Sequence, residues 1–120
     1  MKVVFAILIA VVLAACSEKK SVSYESTMNL IEQQVRLPEE AAPLNQYARY
    51  YATDADYIYA VYIKTVDSAD PNFDLPVGQR RWVADHLNLP AVLDGGCSVV
   101  NVRYNRITLK VDIPVCNGDA

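Results

Sequence analysis

The chain has 120 residues, of which 52% are hydrophobic and 21% charged, and its formal net charge is −3. This length holds one domain and excludes a TIM barrel or a two-domain enzyme, while the apolar fraction excludes intrinsic disorder. The acidic balance argues against a nucleic-acid partner, because proteins that bind nucleic acids normally present a basic face.

The N-terminal segment has the pattern of a secretion signal. Residues 3–15 form an unbroken apolar run that follows one positive residue, Lys2. A helix needs about 20 apolar residues to cross a bilayer, so a run this short matches the central region of a signal peptide better than a membrane span. The sequence therefore predicts a cleaved signal peptide over residues 1–15.

The end of this run, Leu13-Ala14-Ala15-Cys16, resembles the lipobox of bacterial lipoproteins. The resemblance implies that Cys16 receives a diacylglyceryl group and, after cleavage, becomes an N-terminal residue whose amine is often acylated, for example with palmitate. Two or three acyl chains anchor a protein firmly, because each buried CH₂ contributes about 0.8 kcal/mol. Ser17 in place of Asp implies sorting to the outer membrane of a Gram-negative cell. The alternative is an ordinary signal peptide whose cleavage leaves Cys16 as a free thiol.

Residues 17–24 are polar without an apolar period, which indicates a short tether between the lipidated cysteine and one domain over residues 25–120. Two helices are expected at the start of that domain. Met28, Ile31 and Val35 recur at helical spacing and predict a helix over about 26–36. A second helix is predicted over about 44–52, where helical spacing joins four residues: Leu44, Tyr47, Ala48 and Tyr51.

The rest of the domain has the two-residue period of strands. Residues 57–64 are rich in aromatic and β-branched side chains, and a shorter strand is predicted over 80–84. Residues 67–78, with two prolines and a glycine, predict a loop. The clearest signal is a C-terminal hairpin that bends at Asn105-Arg106 through a loop of two or four residues. Its inward face is expected to carry alternating apolar residues: Val100, Val102, Tyr104, Ile107, Leu109, Val111, Ile113 and Val115. Pro114 is expected on the outer side.

Once Cys16 is assigned to lipid, Cys97 and Cys116 remain in a chain exported to a compartment where disulfides form. A Cys97–Cys116 disulfide is predicted near the open end of the hairpin. A metal or redox pair is the alternative, but there is no CxxC spacing and only one histidine. The predicted fold class is α+β, with N-terminal helices packed on a small antiparallel sheet that ends in the disulfide-stapled hairpin.

Candidate chemistry is sparse. A hydrolase could use His86, the only histidine, as base, with Asp85 or Asp94 orienting it and Ser98 as nucleophile. Residue type alone supports this hypothesis. Three aspartates in the loop suggest calcium, but their spacing is not that of an EF-hand, so we expect solvated loop charges and neither metal nor cofactor: Asp67, Asp70 and Asp74.

The abundance of tyrosine suggests a recognition surface. Tyr50 and Tyr62 lie off the expected core stripes, and with a neighbouring cationic-aromatic triplet they form a candidate patch for an anionic or glycan partner: Tyr50, Tyr62, Arg80, Arg81 and Trp82. The alternative is ordinary packing between helix and sheet.

The whole mature chain resembles small uncharacterised lipoproteins of the bacterial envelope, through QYARYYA at 46–52, DGGCSVV at 94–100 and CNG at 116–118. The resemblance implies an envelope location and no particular activity. We therefore expect a non-enzymatic accessory or binding domain, lipid-anchored at the outer membrane and facing the periplasm, with an envelope protein or glycan as partner. A second hypothesis is an inhibitor of a secreted or host enzyme, of the lysozyme-inhibitor type, whose loop 67–78 enters a cleft. A small hydrolase that uses His86 is a third.

Overall fold

A computed structural model describes residues 19–64 and 74–118, with side chains from residue 24 onward. The predicted signal peptide and Cys16 lie outside these residues, as do Asp67 and Asp70. Within the described part the fold is α+β, with one helix, α1 (Lys19–Gln34), and six strands. The strands are β1 (Ala48–Asp54), β2 (Tyr57–Ile63), β3 (Arg80–Trp82), β4 (Val99–Asn105), β5 (Lys110–Val111) and β6 (Val115–Cys116). No helix in this part is both long and apolar enough to cross a bilayer.

The helix α1 starts earlier than its apolar pattern predicts. It begins at Lys19, so residues 19–24, which the sequence assigned to a tether, are helical. Its core-facing residues are as predicted, since Met28 and Ile31 are buried, as is Val35 just beyond its end. The helix ends at Gln34, and Pro38 follows at a position where a continued helix would lose a backbone hydrogen bond.

The predicted second helix is wrong. Residues 44–46 make a single 3₁₀ turn and Ala48–Asp54 form β1, which pairs with β2 along its whole length. Tyr47 and Tyr51 are nevertheless both buried. Residues i and i+4 share a face in a strand as well as in a helix, so their spacing fits either structure. The aromatic-rich segment became a strand because β2 is available to pair with it.

The sheet is mixed, not antiparallel as predicted. Its order is β3-β1-β2-β4-β5, with β6 also paired to β4. The short strand β3 runs parallel to β1, while the other pairs are antiparallel. The predictions of strands at 57–64 and 80–84 are confirmed, with each observed strand ending slightly earlier.

The C-terminal hairpin exists, but its return strand is broken. Tyr104 pairs with Val111 across a four-residue turn, whereas Val100 pairs with Cys116. One extra residue is therefore accommodated between β5 and β6, as in a β-bulge. The bulge reverses the predicted alternation and leaves Ile113 and Val115 exposed, whereas Ile107 and Leu109 are exposed because they lie in the turn. Pro114, expected on the outer side, is buried within the bulge.

Both faces of the sheet carry apolar residues. The helix face packs against α1 through a core that includes Tyr51, Tyr62 and Val102. The opposite face, here called the loop face, has a smaller core around Tyr50, Val61 and Val99. This second core is covered by Leu75 and by residues from the segment 83–92: Val83, Leu89 and Val92. Among the residues that the structure describes, these cover only one end of the loop face.

The predicted Cys97–Cys116 disulfide is confirmed, with the two Cα atoms 4.6 Å apart. Cys97 does not lie directly across the ladder from Cys116, because it belongs to the 3₁₀ turn Gly96–Ser98 that precedes β4. Gly95 enters this turn at φ 108°, a backbone conformation that favours glycine. The Tyr47 hydroxyl donates to the Cys97 carbonyl at 2.6 Å, which ties the turn to the helix-face core.

Candidate functional site

The structure does not assemble the predicted tyrosine patch. Tyr62 is 0% exposed and Tyr50 is 1% exposed, so the expectation that they reach the surface is wrong. They also lie on opposite faces of the sheet, Tyr62 in the helix-face core and Tyr50 in the loop-face core. The prediction was wrong because it assumed that only one face of the sheet packs against other segments, whereas both faces of this sheet do.

Tyr62 belongs to a polar network that joins α1 to the sheet. Glu32 accepts hydrogen bonds from Arg49 Nε at 3.0 Å and from the Tyr51 hydroxyl at 2.5 Å. The Tyr51 and Tyr62 hydroxyl oxygens are 2.8 Å apart. Burial, together with the neighbouring phenol and the Glu32 carboxylate, raises the pKa of Tyr51 far above its usual value, and burial raises that of Tyr62. These phenols stay neutral and act in packing.

Arg80 and Trp82 are also occupied by contacts with α1. Arg80 Nη1 lies 3.2 Å from Glu32, and Nη2 donates to Glu25 and Asn29, each at 2.7 Å. The Trp82 ring stacks on Tyr24 at 4.5 Å between centroids. It also stacks on Tyr51, with the ring centroids 6.1 Å apart. These two members of the predicted patch therefore hold the helix to the sheet.

Arg81 is the exposed member of the predicted set. It projects from the loop face and pairs with Asp74 at 2.9 Å. The neighbouring Leu75 is buried, and its amide donates to the Tyr50 hydroxyl at 3.2 Å. Burial raises the pKa of Tyr50 above its usual value, so this phenol also stays neutral. Arg81 and Tyr50 thus fix the end of the segment that leads into β3.

A concave surface with an apolar lining lies on the loop face. A groove of about 480 Å³ runs between strands β2 and β4 and the segment 86–91. Its walls include Tyr59 and Val61 from β2, Asn101 from β4, and Leu89 and Pro90 from the segment. The groove forms because Leu89 packs onto the loop-face core while the sheet extends beyond Leu89.

A smaller hollow of about 240 Å³ continues this groove across β4. The two share Tyr59 and Asn101, and the hollow is closed by Ile113 and Val115. These two side chains face outward because of the bulge between β5 and β6 (Ile113 is 87% exposed and Val115 is 61% exposed). We refer to the groove and the hollow together as the loop-face groove.

A cationic-aromatic cluster borders the groove, and the sequence analysis missed it. The Arg103 guanidinium carbon lies 4.6 Å from the centre of the Tyr57 ring, and the Tyr57 and Tyr59 rings are 6.0 Å apart. Arg103 also donates to Asp112 at 2.6 Å. Tyr57 and Tyr59 share strand parity with Val61, which suggested a buried position. They are only half-buried, because the covering segment does not extend over their end of the sheet.

His86 lines the groove beside two carboxylates. Its Nδ1 is 3.3 Å from Asp85 and 3.7 Å from Asp54. Asp85 also caps the 3₁₀ turn His86–Asn88, since its carboxylate accepts from the Leu87 amide at 2.8 Å. Among the described residues that line the groove there is no serine, threonine or cysteine. Ser98, the nucleophile of the hydrolase hypothesis, instead lies in the turn Gly96–Ser98.

The described residues include no cluster of three potential metal ligands. Comparisons with protein-family models, with curated proteins and with solved structures found no match to this chain.

Proposed function

We propose that this chain is a lipid-anchored, non-enzymatic binding domain of the bacterial envelope. Cys16 attaches it to the outer membrane, and the loop-face groove binds a protein partner in the periplasm. The lipobox supports the anchor, and Ser17 supports the location. One observation carries the binding function, namely that an open, largely apolar groove on the loop face is bordered by the cationic-aromatic cluster of Tyr57, Tyr59 and Arg103 and by the carboxylates of Asp54 and Asp85 beside His86.

The composition of the groove favours a polypeptide as its occupant. Exposed aliphatic side chains extend along its length, with Leu87 80% exposed at one wall and Ile113 and Val115 at the far end. Contiguous exposed apolar surface of this kind marks protein interaction sites. Tyr59, near the middle, offers a large contact area with little rotamer entropy to lose.

The charges in the groove define the partner further. Asp54 and Asp85 place two carboxylates beside His86, next to the apolar walls. Complementary potentials favour a partner that presents a basic side chain there. We therefore propose as occupant a protein segment that carries aliphatic side chains next to a lysine or arginine.

Photo-crosslinking in living cells tests this proposal. A photoreactive amino acid is introduced at Leu87, on the groove wall, and in a separate strain at Leu109, which is also exposed but belongs to the hairpin turn. We expect one discrete crosslinked protein from position 87 and none from position 109. Val115→Asp, which places a charge in the far end of the groove, should abolish the product from position 87. Equal crosslinking from both positions would contradict a binding function for the groove.

The two other hypotheses stay predictions. The loop of the inhibitor hypothesis, residues 67–78, is described only from Asp74 onward, so its shape carries no argument. If the crosslinked partner is a secreted hydrolase, the inhibitor hypothesis gains support. For the hydrolase hypothesis, His86→Ala should abolish an activity detected in a hydrolase screen, whereas the binding proposal expects the parent to show no such activity.

A further inference from the structure

The N-terminal part of α1 is fastened to one edge of the sheet. Tyr24 stacks on Trp82 with an angle of 13° between the rings, and Glu25 accepts from Arg80 at 2.7 Å. Since Trp82 and Arg80 belong to β3, the outermost strand on that side, the helix starts at this edge. We call the surface formed by Tyr24, Glu25, Arg80 and Trp82 the β3 edge.

The remainder of α1 crosses the sheet and is held at its far end. Gln34 donates to the Leu109 carbonyl at 3.0 Å and accepts from the Val111 amide at 3.1 Å. Glu32 binds Arg49 between these two ends. Contacts at Tyr24 and Glu25 and at Glu32 and Gln34 hold α1 against the sheet, so the direction of α1 sets the direction of the domain.

The lipid attachment site is a short distance from the β3 edge along the chain. Only Ser17 and Glu18 separate Cys16 from the start of α1 at Lys19. Three peptide units span at most about 11 Å, and a helix rises about 1.5 Å per residue. Tyr24 therefore lies within about 18 Å of Cys16, even if the connecting residues are fully extended.

We propose that the β3 edge faces the lipid surface and that the loop-face groove opens away from it; this inference rests on the lipid anchor in the proposed function. The short link keeps the edge near the headgroups, and rings of tyrosine and tryptophan are well suited to that amphipathic layer. Three strand spacings separate β3 from β4, which places the groove wall on β4 about 14 Å farther from the edge. The groove also lies on the face opposite α1, where the membrane leaves a protein partner free access.

Fluorescence of the single tryptophan tests the orientation directly, because Trp82 lies at the β3 edge. The full-length lipidated protein is purified from bacterial membranes and reconstituted into phosphatidylcholine–phosphatidylglycerol vesicles that contain a lipid with a nitroxide on its headgroup. The matched control is the double variant Trp82→Phe/Ile113→Trp, which moves the fluorophore to an exposed position beyond β5 and keeps an aromatic ring in the stack. We expect severalfold stronger quenching of Trp82 than of the tryptophan at position 113.

A flexible Gly-Ser insertion between Glu18 and Lys19 provides the second arm. It leaves the anchor and the fold intact but removes the length constraint, so quenching of Trp82 should fall to the level of the control position. With the original link, quenching that is equal at positions 82 and 113, or stronger at 113, would contradict the proposed orientation. The lipid anchor would stand in that case as long as the protein still floats with the vesicles. Failure to float would overturn the lipid anchor itself, and this proposal with it.

Discussion

Glu32 on α1 and Arg49 on β1 form an ion pair at 3.0 Å in which both side chains are largely buried. The same carboxylate also accepts from Tyr51 and lies 3.2 Å from Arg80. One glutamate thus balances two arginines at the contact between helix and sheet. Removing Glu32 leaves the largely buried Arg49 without its counter-charge, which is the costly case for buried charges.

Glu32→Ala should therefore destabilise the protein by about 3 kcal/mol, measured by urea unfolding at neutral pH. Glu25→Ala is the matched control, because Glu25 also pairs with an arginine but its side chain is 64% exposed. An exposed pair contributes at most about 1 kcal/mol. Similar losses for both variants would show that the network contributes no more than a surface ion pair.

The buried tyrosines predict a loss of stability in alkali. Burial raises the pKa of Tyr51, Tyr62, Tyr50 and Tyr104 above the ordinary value of 10.0. The folded state thus favours the protonated phenols. Their contribution to the free energy of unfolding is fully present below pH 10 and is lost as the pH rises above it. Above pH 10, each such phenol should lower the free energy of unfolding by up to about 1.4 kcal/mol per pH unit.

Urea unfolding between pH 7 and pH 11 measures this dependence. Tyr51→Phe lowers stability at neutral pH by about 1 kcal/mol, because it removes the hydrogen bond to Glu32. Above pH 10, the unfolding free energy of this variant should fall less steeply with pH than that of the parent, since one titrating group is gone. If the two profiles run parallel, the Tyr51 phenol does not govern the alkaline transition.

Reduction of the Cys97–Cys116 disulfide should lower the free energy of unfolding. The disulfide closes a segment whose ends are 19 residues apart, and a loop of this size is worth about 3 kcal/mol in the chain-entropy account. The double variant Cys97→Ser/Cys116→Ser should therefore unfold at a lower urea concentration and become insensitive to reductant. The parent in reductant should match the variant, and a parent that keeps its oxidised stability after complete reduction would contradict the role of the bond.

Replacement of the lipobox cysteine separates the anchor from the fold. Cys16→Ser should release the protein from membranes into the soluble fraction, because no acyl chain can then be attached. Its unfolding by urea should match that of the parent, since the fold contacts described above do not involve Cys16. Retention of the variant in washed membranes would disprove the assignment of Cys16 as the anchor.

Local patterns in the sequence predict those elements whose structure is determined by residues close together along the chain. The core residues of α1, the strands β2 and β4 and the disulfide pair all have such signals. The segment 48–54 was misassigned because Tyr47 and Tyr51 satisfy helical and strand periods equally, and only pairing with β2 decides between them. The reversed exposure of Ile113 and Val115 has a similar cause, because a one-residue bulge changes every later side chain without altering the composition.

The candidate site could not be read from the sequence, since it depends on how far a covering segment extends. Residues 83–92 cover the loop face over Val61 and leave Tyr57 and Tyr59 partly open. The alternating pattern of β2 is the same in either case. A surplus of aromatic residues on one strand parity was the only available signal, and it indicates packing as readily as recognition.

The interrupted hairpin also determines how neighbouring copies meet. Lipid-anchored proteins share a two-dimensional surface and collide often, so a long free strand at a sheet edge invites one molecule to pair with the next. Here the edge beside β4 is divided into two two-residue strands with Pro114 buried between them, and the opposite edge, β3, has three residues. Edges this short and irregular give a neighbouring copy little to extend, so in the lipid-anchored arrangement proposed above they would disfavour polymerisation through the sheets.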